Sequence, residues 1–209
     1  MAGLSLINPK RALLVMDFQV DVLTKSMPEA EPAEAIARIP ELLVVARSAG
    51  MMVIHVIVVF RPGHPEVSPF NTIFSWMKAH GLLLADSEGA RIHPAAIARG
   101  DEPIVVKHRT SPFAETDLAM RLRANAVDTL VLAGVHTSGA VLSTVRQAAD
   151  LDYRLVVARD CCADPDAKVH AMLLDRVIAK QATVASTAAI AALTISACRP
   201  PANGGPQLC

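Results

Sequence analysis

Six apolar runs punctuate the chain, and the segments between them carry hydrophobic positions at helical spacing. Residues 12–18 (ALLVMDF), 51–60 (MMVIHVIVVF), 103–107 (PIVVK), 128–134, 153–158 and a shorter run at 182–185 are near-continuous apolar stretches. Strands buried on both faces read this way, because neither face has solvent to demand a polar alternation. Between the first two runs, residues 34–48 place Ile36, Ile39, Leu42, Leu43 and Ala46 on one helical face. Gly50 stops that helix, and Pro40 either kinks it or marks its first turn. Leu118 and Leu122 predict a helix over 115–125, and further helices are predicted over 140–151, 166–178 and 187–195. Strand and helix in alternation predict an α/β fold, a three-layer sandwich with a parallel sheet covered on both faces and joined by right-handed crossovers.

Residues 61–100 break this rhythm. Prolines and glycines are frequent there and periodicity is weak, which predicts a long excursion with one short helix near Trp76. Residues 1–10 read as a frayed lead-in and 196–209 as a loose tail. With 209 residues, a single domain is expected, its core over about 10–195.

Composition narrows the function. Formal net charge is zero, which argues against nucleic acid or an acidic membrane surface as partner. No apolar run approaches membrane-spanning length, and no cleavage-site pattern follows the first apolar stretch. The four cysteines, Cys161, Cys162, Cys198 and Cys209, have no CxxC spacing, so reduced thiols in a cytoplasmic protein are expected. Cys161 and Cys162 read as small buried residues following a strand.

In an open parallel sheet the site lies beyond the carboxyl ends of the strands, at the switch point in strand order. Three places qualify: Asp17 ending the first strand, Lys107 ending the third, and the loop His136-Thr137-Ser138-Gly139 after the fourth. An acid at a buried strand end is costly unless paired or catalytic. A lysine near Asp17 would hold and orient its carboxylate, although each residue alone also fits a structural role. The strand-to-helix loop, from Val135 and His136 to Gly139 and Ala140, points backbone N–H groups and a helix dipole at one spot. Ala140 puts an inert methyl where such a site wants a nucleophile. Phe18, Trp76 and the phenylalanines near the excursion either line a pocket for a small, partly apolar ligand or anchor the long loop. His136 either touches that ligand or faces solvent, and His55 reads as a satisfied core histidine. No Gly-rich phosphate loop and no metal-ligand spacing accompany His64 and His93.

The segments LLVMDFQVD, VKHRTSPF and LVLAGVHTSGAVLST, in this order and with these intervening strands, resemble the isochorismatase-like hydrolase superfamily, which includes isochorismatases, nicotinamidases and related amide hydrolases. The resemblance implies a six-stranded parallel sheet in the order 3-2-1-4-5-6. It implies an Asp-Lys-Cys site that maps onto Asp17, Lys107 and Ala140, with a cis peptide at Val135–His136. It implies a homo-oligomer, a dimer or higher, acting on a small-molecule substrate without a cofactor. The metal set of family nicotinamidases is missing from FRPGHPE, so no metal is expected.

Ala140 cannot form the acyl-enzyme that amide hydrolysis in this family needs. Thr137, Ser138 and Ser143 carry hydroxyls but have no motif-matched base. Isochorismatases cleave a vinyl ether with a general acid, and some lack the cysteine. The expected chemistry is therefore cleavage of a small metabolite such as isochorismate, with Asp17 as acid. Lys107 would orient the acid, Gln19 would position it or a water, and Arg61 would pair with a substrate carboxylate. His136 and Thr137 would complete the ligand contacts. The alternatives are an amidohydrolase whose cysteine is replaced by Ala140, by nature or by engineering, and a ligand-binding protein without catalysis.

Overall fold

The structure, a computed structural model, describes residues 10–27 and 32–197. The lead-in before Lys10 and the tail after Ala197 lie outside the described residues. Six strands form one sheet: β1 (Arg11–Met16), β2 (Met52–Val58), β3 (Ile104–Lys107), β4 (Thr129–Val135), β5 (Arg154–Ala163) and β6 (Thr183–Ala185). Every pairing is parallel, and the order is β3-β2-β1-β4-β5-β6. The order reverses between β1 and β4, so the crevice above those two strand ends is the switch point.

Helices cover both faces. On one side lie α1 (Val20–Lys25), α2 (Ala33–Ser48) and α7 (Thr187–Ala197); α2 packs on β5, β2 and α7. Ile39, Leu42, Leu43 and Ala46 of α2 join Leu13, Val15, Val53 and Val131 in that core. The other side holds α4 (Leu118–Ala124), α5 (Leu142–Asp150) and α6 (Ala167–Met172). There Leu118, Leu122, Val145 and Ala148 meet Leu14, Ile54, Leu130 and Leu132. Alternate residues of β1 and β4 thus feed opposite cores, which is why both strands read as unbroken apolar runs.

Several boundaries differ from the sequence expectation. Pro40 lies inside α2 without ending it. The short α1, directly after Asp17, has too few apolar positions for periodicity to reveal it. β5 runs on to Ala163 and takes in Cys161 and Cys162, because its pairing with β4 resumes beyond an irregularity at Leu132/Gly134. The helix expected at 140–151 starts as a wide π-turn at Thr137–Val141, and that expected at 166–178 breaks into α6, a π-turn at Leu173–Val177 and a 3-10 turn. His55 is buried and pairs through Nε2 with Glu102, which also takes two hydrogen bonds from Arg47; its Nδ1 has no partner.

The excursion holds α3 (Thr72–Ala79), capped by the Asn71 side chain, and two 3-10 turns at Glu88–Ala90 and Pro94–Ala96. It is tied down beside the crevice. The Asp21 carboxylate accepts the Leu83 N–H at 3.1 Å. Gly89 passes so close that a Cβ there would fall 2.0 Å from the same carboxylate, so only glycine allows that approach.

Candidate active site

Asp17 follows the last residue of β1 in the left-handed region, with φ at 60°. This conformation costs a non-glycine residue about 1–2 kcal/mol, and aspartate is among those that tolerate it best. It ends the strand and turns the carboxylate into the crevice. Lys107 ends β3, two strands away across β2, at register with Val58. Two strand spacings make about 9.5 Å, a gap that suits a lysine stem. Its Nζ donates to Asp17 Oδ2 at 2.9 Å and to the Thr110 carbonyl at 2.8 Å. The lysine side chain is only 1% exposed, so it does not snorkel to the rim. Asp17 Oδ1 is buried without a hydrogen-bond partner. Burial pushes the Asp17 carboxyl above the usual range, and the Lys107 charge opposes that shift without cancelling it.

The third wall is the loop after β4. The Val135–His136 peptide is cis. The His136 carbonyl accepts the Gly139 and Val141 N–H groups at 3.1 and 3.2 Å, which closes the turn. Ala140 is buried within it. Asp17, Lys107, Thr110, Val135, His136, Gly139 and Ala140 line one cavity of about 60 Å³, together with Val22, Val58 and the α3 residues Ile73, Phe74 and Met77. The polar groups thus share a small space whose remaining walls are apolar. Ligand pockets are usually about 300–1,000 Å³. A ring-sized ligand therefore requires α3 to shift or the ligand to extend past Ile73, which is 57% exposed.

The structure thus brings Asp17, Lys107, Val135, His136, Gly139 and Ala140 together. It does not bring the other expected ligand contacts with them. Phe18 is buried in the core on the α2 side. Gln19 is fully buried, and its amide is consumed by backbone: it donates to the Val58 and Ala90 carbonyls and accepts the Val58 N–H. It bolts α1 to β2 and to the excursion instead of touching a substrate. The Thr137 hydroxyl faces away, bonded to the Ala163 carbonyl and His170. Trp76 packs against His80 on the outer side of α3, because Phe74 and Met77 occupy its inner face. Arg61 is 73% exposed and paired with Glu66 at 2.5 Å. It lines a separate, open depression with Val59, Phe60, Ala85, Val106 and His108, and does not reach the cavity mouth.

Two residues outside the sequence expectation matter. Asp164, just past β5, accepts the Ser138 N–H at 2.6 Å and so braces the loop. Its sequence signal is masked, because Arg159 and Asp160 interrupt the apolar run of β5 before it. Ser26 meets His136 Nε2 at 3.0 Å, a contact with no sequence signal. Cys161 and Cys162 are buried away from the cavity, and burial pushes the Cys161 thiol up to about 12 and the Cys162 thiol upward as well. No cysteine lines the cavity. Among the described residues no cluster of three or more His, Cys, Asp or Glu side chains is arranged to hold a metal, and no helix is long and apolar enough to cross a membrane.

Comparison with known proteins places the chain in a family. Residues 11–189 match the isochorismatase domain. Maleamate amidohydrolase of Pseudomonas putida is 31% identical over 166 residues, covering 77% of this chain and 76% of that enzyme. The isochorismatase family protein YddQ of Bacillus subtilis is 30% identical over 153 residues, covering 73% and 77%. Among solved structures, a cysteine hydrolase from Pseudomonas syringae pv. phaseolicola superposes with a TM-score of 0.82 at 25% identity, over 91% of this chain and 95% of that one.

Proposed function

The chain belongs to the isochorismatase family of hydrolases, and from that premise we propose that it cleaves a small metabolite by proton transfer from Asp17, without an acyl-enzyme, isochorismate being the first substrate to test. One observation carries this reading. Asp17 has one oxygen held by Lys107 and the other buried in the cavity without a partner. The free oxygen is where a proton would reside, and desolvation favours the protonated form. A vinyl ether would take that proton on its terminal carbon. The resulting oxocarbenium ion adds water, and the hemiketal collapses to a ketone, pyruvate in the case of isochorismate, and an alcohol. Lys107 would keep Asp17 in place and stabilise its conjugate base. The step needs an acid and a water but no nucleophile, which matches the methyl of Ala140.

The test is pyruvate release from isochorismate within a panel of small enol ethers. Asp17→Asn keeps the shape and tolerates the left-handed backbone. It is expected to lower turnover by roughly 10²–10⁴-fold, the usual contribution of a positioned acid. If wild-type protein releases nothing from the panel, this reading is wrong.

A second reading is favoured by Ala140 itself, whose side chain lines the cavity beside Asp17 and Lys107, and by the kinship with maleamate amidohydrolase. A thiol at this position would stand within the same constellation, with Asp17 to take its proton. In that reading Ala140→Cys gains hydrolysis of small amides such as maleamate, whereas the acid-catalysed reading expects no such gain.

A further inference from the structure

We propose that His136 is the base of this site: held as its Nε2–H tautomer by Ser26, it presents a bare Nδ1 that binds the attacking water and takes its proton. This rests on the acid-catalysed reading above, which otherwise leaves the water without an activator.

The tautomer follows from proton counting. A serine hydroxyl has one proton to give. Ser26 Oγ gives it to the Val22 carbonyl at 2.7 Å, closing a turn of α1. Its 3.0 Å contact with His136 Nε2 therefore needs a proton from the ring. A neutral imidazole with Nε2 protonated carries its lone pair on Nδ1. No described residue donates a hydrogen bond to that nitrogen. His136 lines the same cavity as Asp17 and Ala140, whereas Ser26 lies outside the lining.

The loop that carries the ring is also well anchored. Its own carbonyl closes the π-turn, and Asp164 holds the next-but-one N–H. The charged groups facing it are Asp164 from the end of β5, Asp17 from β1 and Lys107 from β3. Burial dominates them and lowers the imidazole pKa, so the ring is neutral and able to accept a proton at pH 7.

The step balances. Asp17 Oδ1–H forms the new C–H bond and leaves an oxocarbenium ion. The water oxygen forms the C–O bond as its proton passes to His136 Nδ1. The hemiketal then breaks its other C–O bond to give ketone and alcohol, and the imidazolium proton returns to the Asp17 carboxylate through solvent. Acid and base are both regenerated. The arrangement also accounts for a site that dispenses with a nucleophile, since the attacking water is activated by a fixed group facing the same cavity as the acid.

Long-range proton–nitrogen NMR of histidine-labelled protein tests the tautomer without any turnover. The expected spectrum has Nε2 protonated and Nδ1 bare in wild-type protein, and a mixture of tautomers in Ser26→Ala. An Nδ1-protonated wild-type ring overturns the proposal. Kinetics test the role. His136→Gly is expected to lower kcat roughly 10²–10⁴-fold with little change in KM, to lose the acid limb of the pH profile, and to regain activity with added imidazole. Ser26→Ala keeps the ring and the fold, and is expected to lower kcat several-fold. If Asp17→Asn silences the enzyme while both of these variants keep full kcat, the base assignment falls and the acid reading stands. If the wild type turns over no substrate, both fall.

Discussion

Replacing Lys107 by methionine removes a charge and keeps the apolar stem. It leaves the Asp17 carboxylate in a place where its side chain is 8% exposed and its second oxygen already lacks a partner. Breaking a buried ion pair from one side usually costs about 3–5 kcal/mol. Proton uptake limits that cost. A carboxyl can escape charged burial by binding a proton, at about 1.4 kcal/mol for each pH unit above its unfolded pKa near 3.9. The ceiling at pH 7 is therefore about 4 kcal/mol, inside the empirical range, and it falls to about 1.5 kcal/mol at pH 5. The sign is that of a raised carboxyl pKa. The folded state then binds more protons than the unfolded state, so stability is lost as pH rises above the unfolded value. Wild-type Asp17 is itself shifted upward, which makes these differences upper limits. Urea denaturation of wild type and Lys107→Met at pH 5, 6 and 7 measures the effect. The variant is expected to lose stability progressively across that range, and Asp17→Asn in the same chain is expected to recover most of the loss at pH 7. A loss under about 1 kcal/mol that does not change with pH would falsify the claim that Asp17 is desolvated and held by Lys107.

Gly134→Ala tests the close approach of β4 to β1. A Cβ there would lie 2.9 Å from Met16 Cβ and 3.0 Å from the Met16 carbonyl oxygen. Backbone cannot rotate aside as a side chain can, so a loss of about 1–3 kcal/mol is expected in chemical denaturation. The next residue after Met16 is Asp17, so turnover should fall along with stability; an unchanged denaturation midpoint would contradict the packing. Cys161 and Cys162 are buried, and their thiols are shifted far above neutrality. Neither should react with a thiol reagent at pH 8 until the protein unfolds, as read by peptide mapping after timed labelling. Rapid labelling of either in the folded protein would show that β5 opens locally.

Much of this molecule is fixed by local pattern. A strand buried on both faces needs an unbroken apolar run, so β1, β2 and β4 are legible without knowing their neighbours, and their alternation with helices dictates a parallel sheet. A charge or a polar loop at the end of such a run is equally legible, because burying it has a cost that calls for a reason. Asp17, Lys107 and the loop through Ala140 stand out for that cause, whereas Asp164 is hidden behind Arg159 and Asp160 of β5. What the pattern does not contain is direction across the sheet. That Lys107 reaches over β2 to Asp17 is decided by strand order and register. Gln19 is two residues from Asp17, yet its amide is spent on the backbone of β2 and of the excursion. Arg61 ends at Glu66. Trp76 ends at His80, because the rotation of α3 gives the inner face to Phe74 and Met77. The pairing of Ser26 with His136 spans 110 residues. Local sequence determines which groups need partners, and the three-dimensional packing alone decides which partners they get.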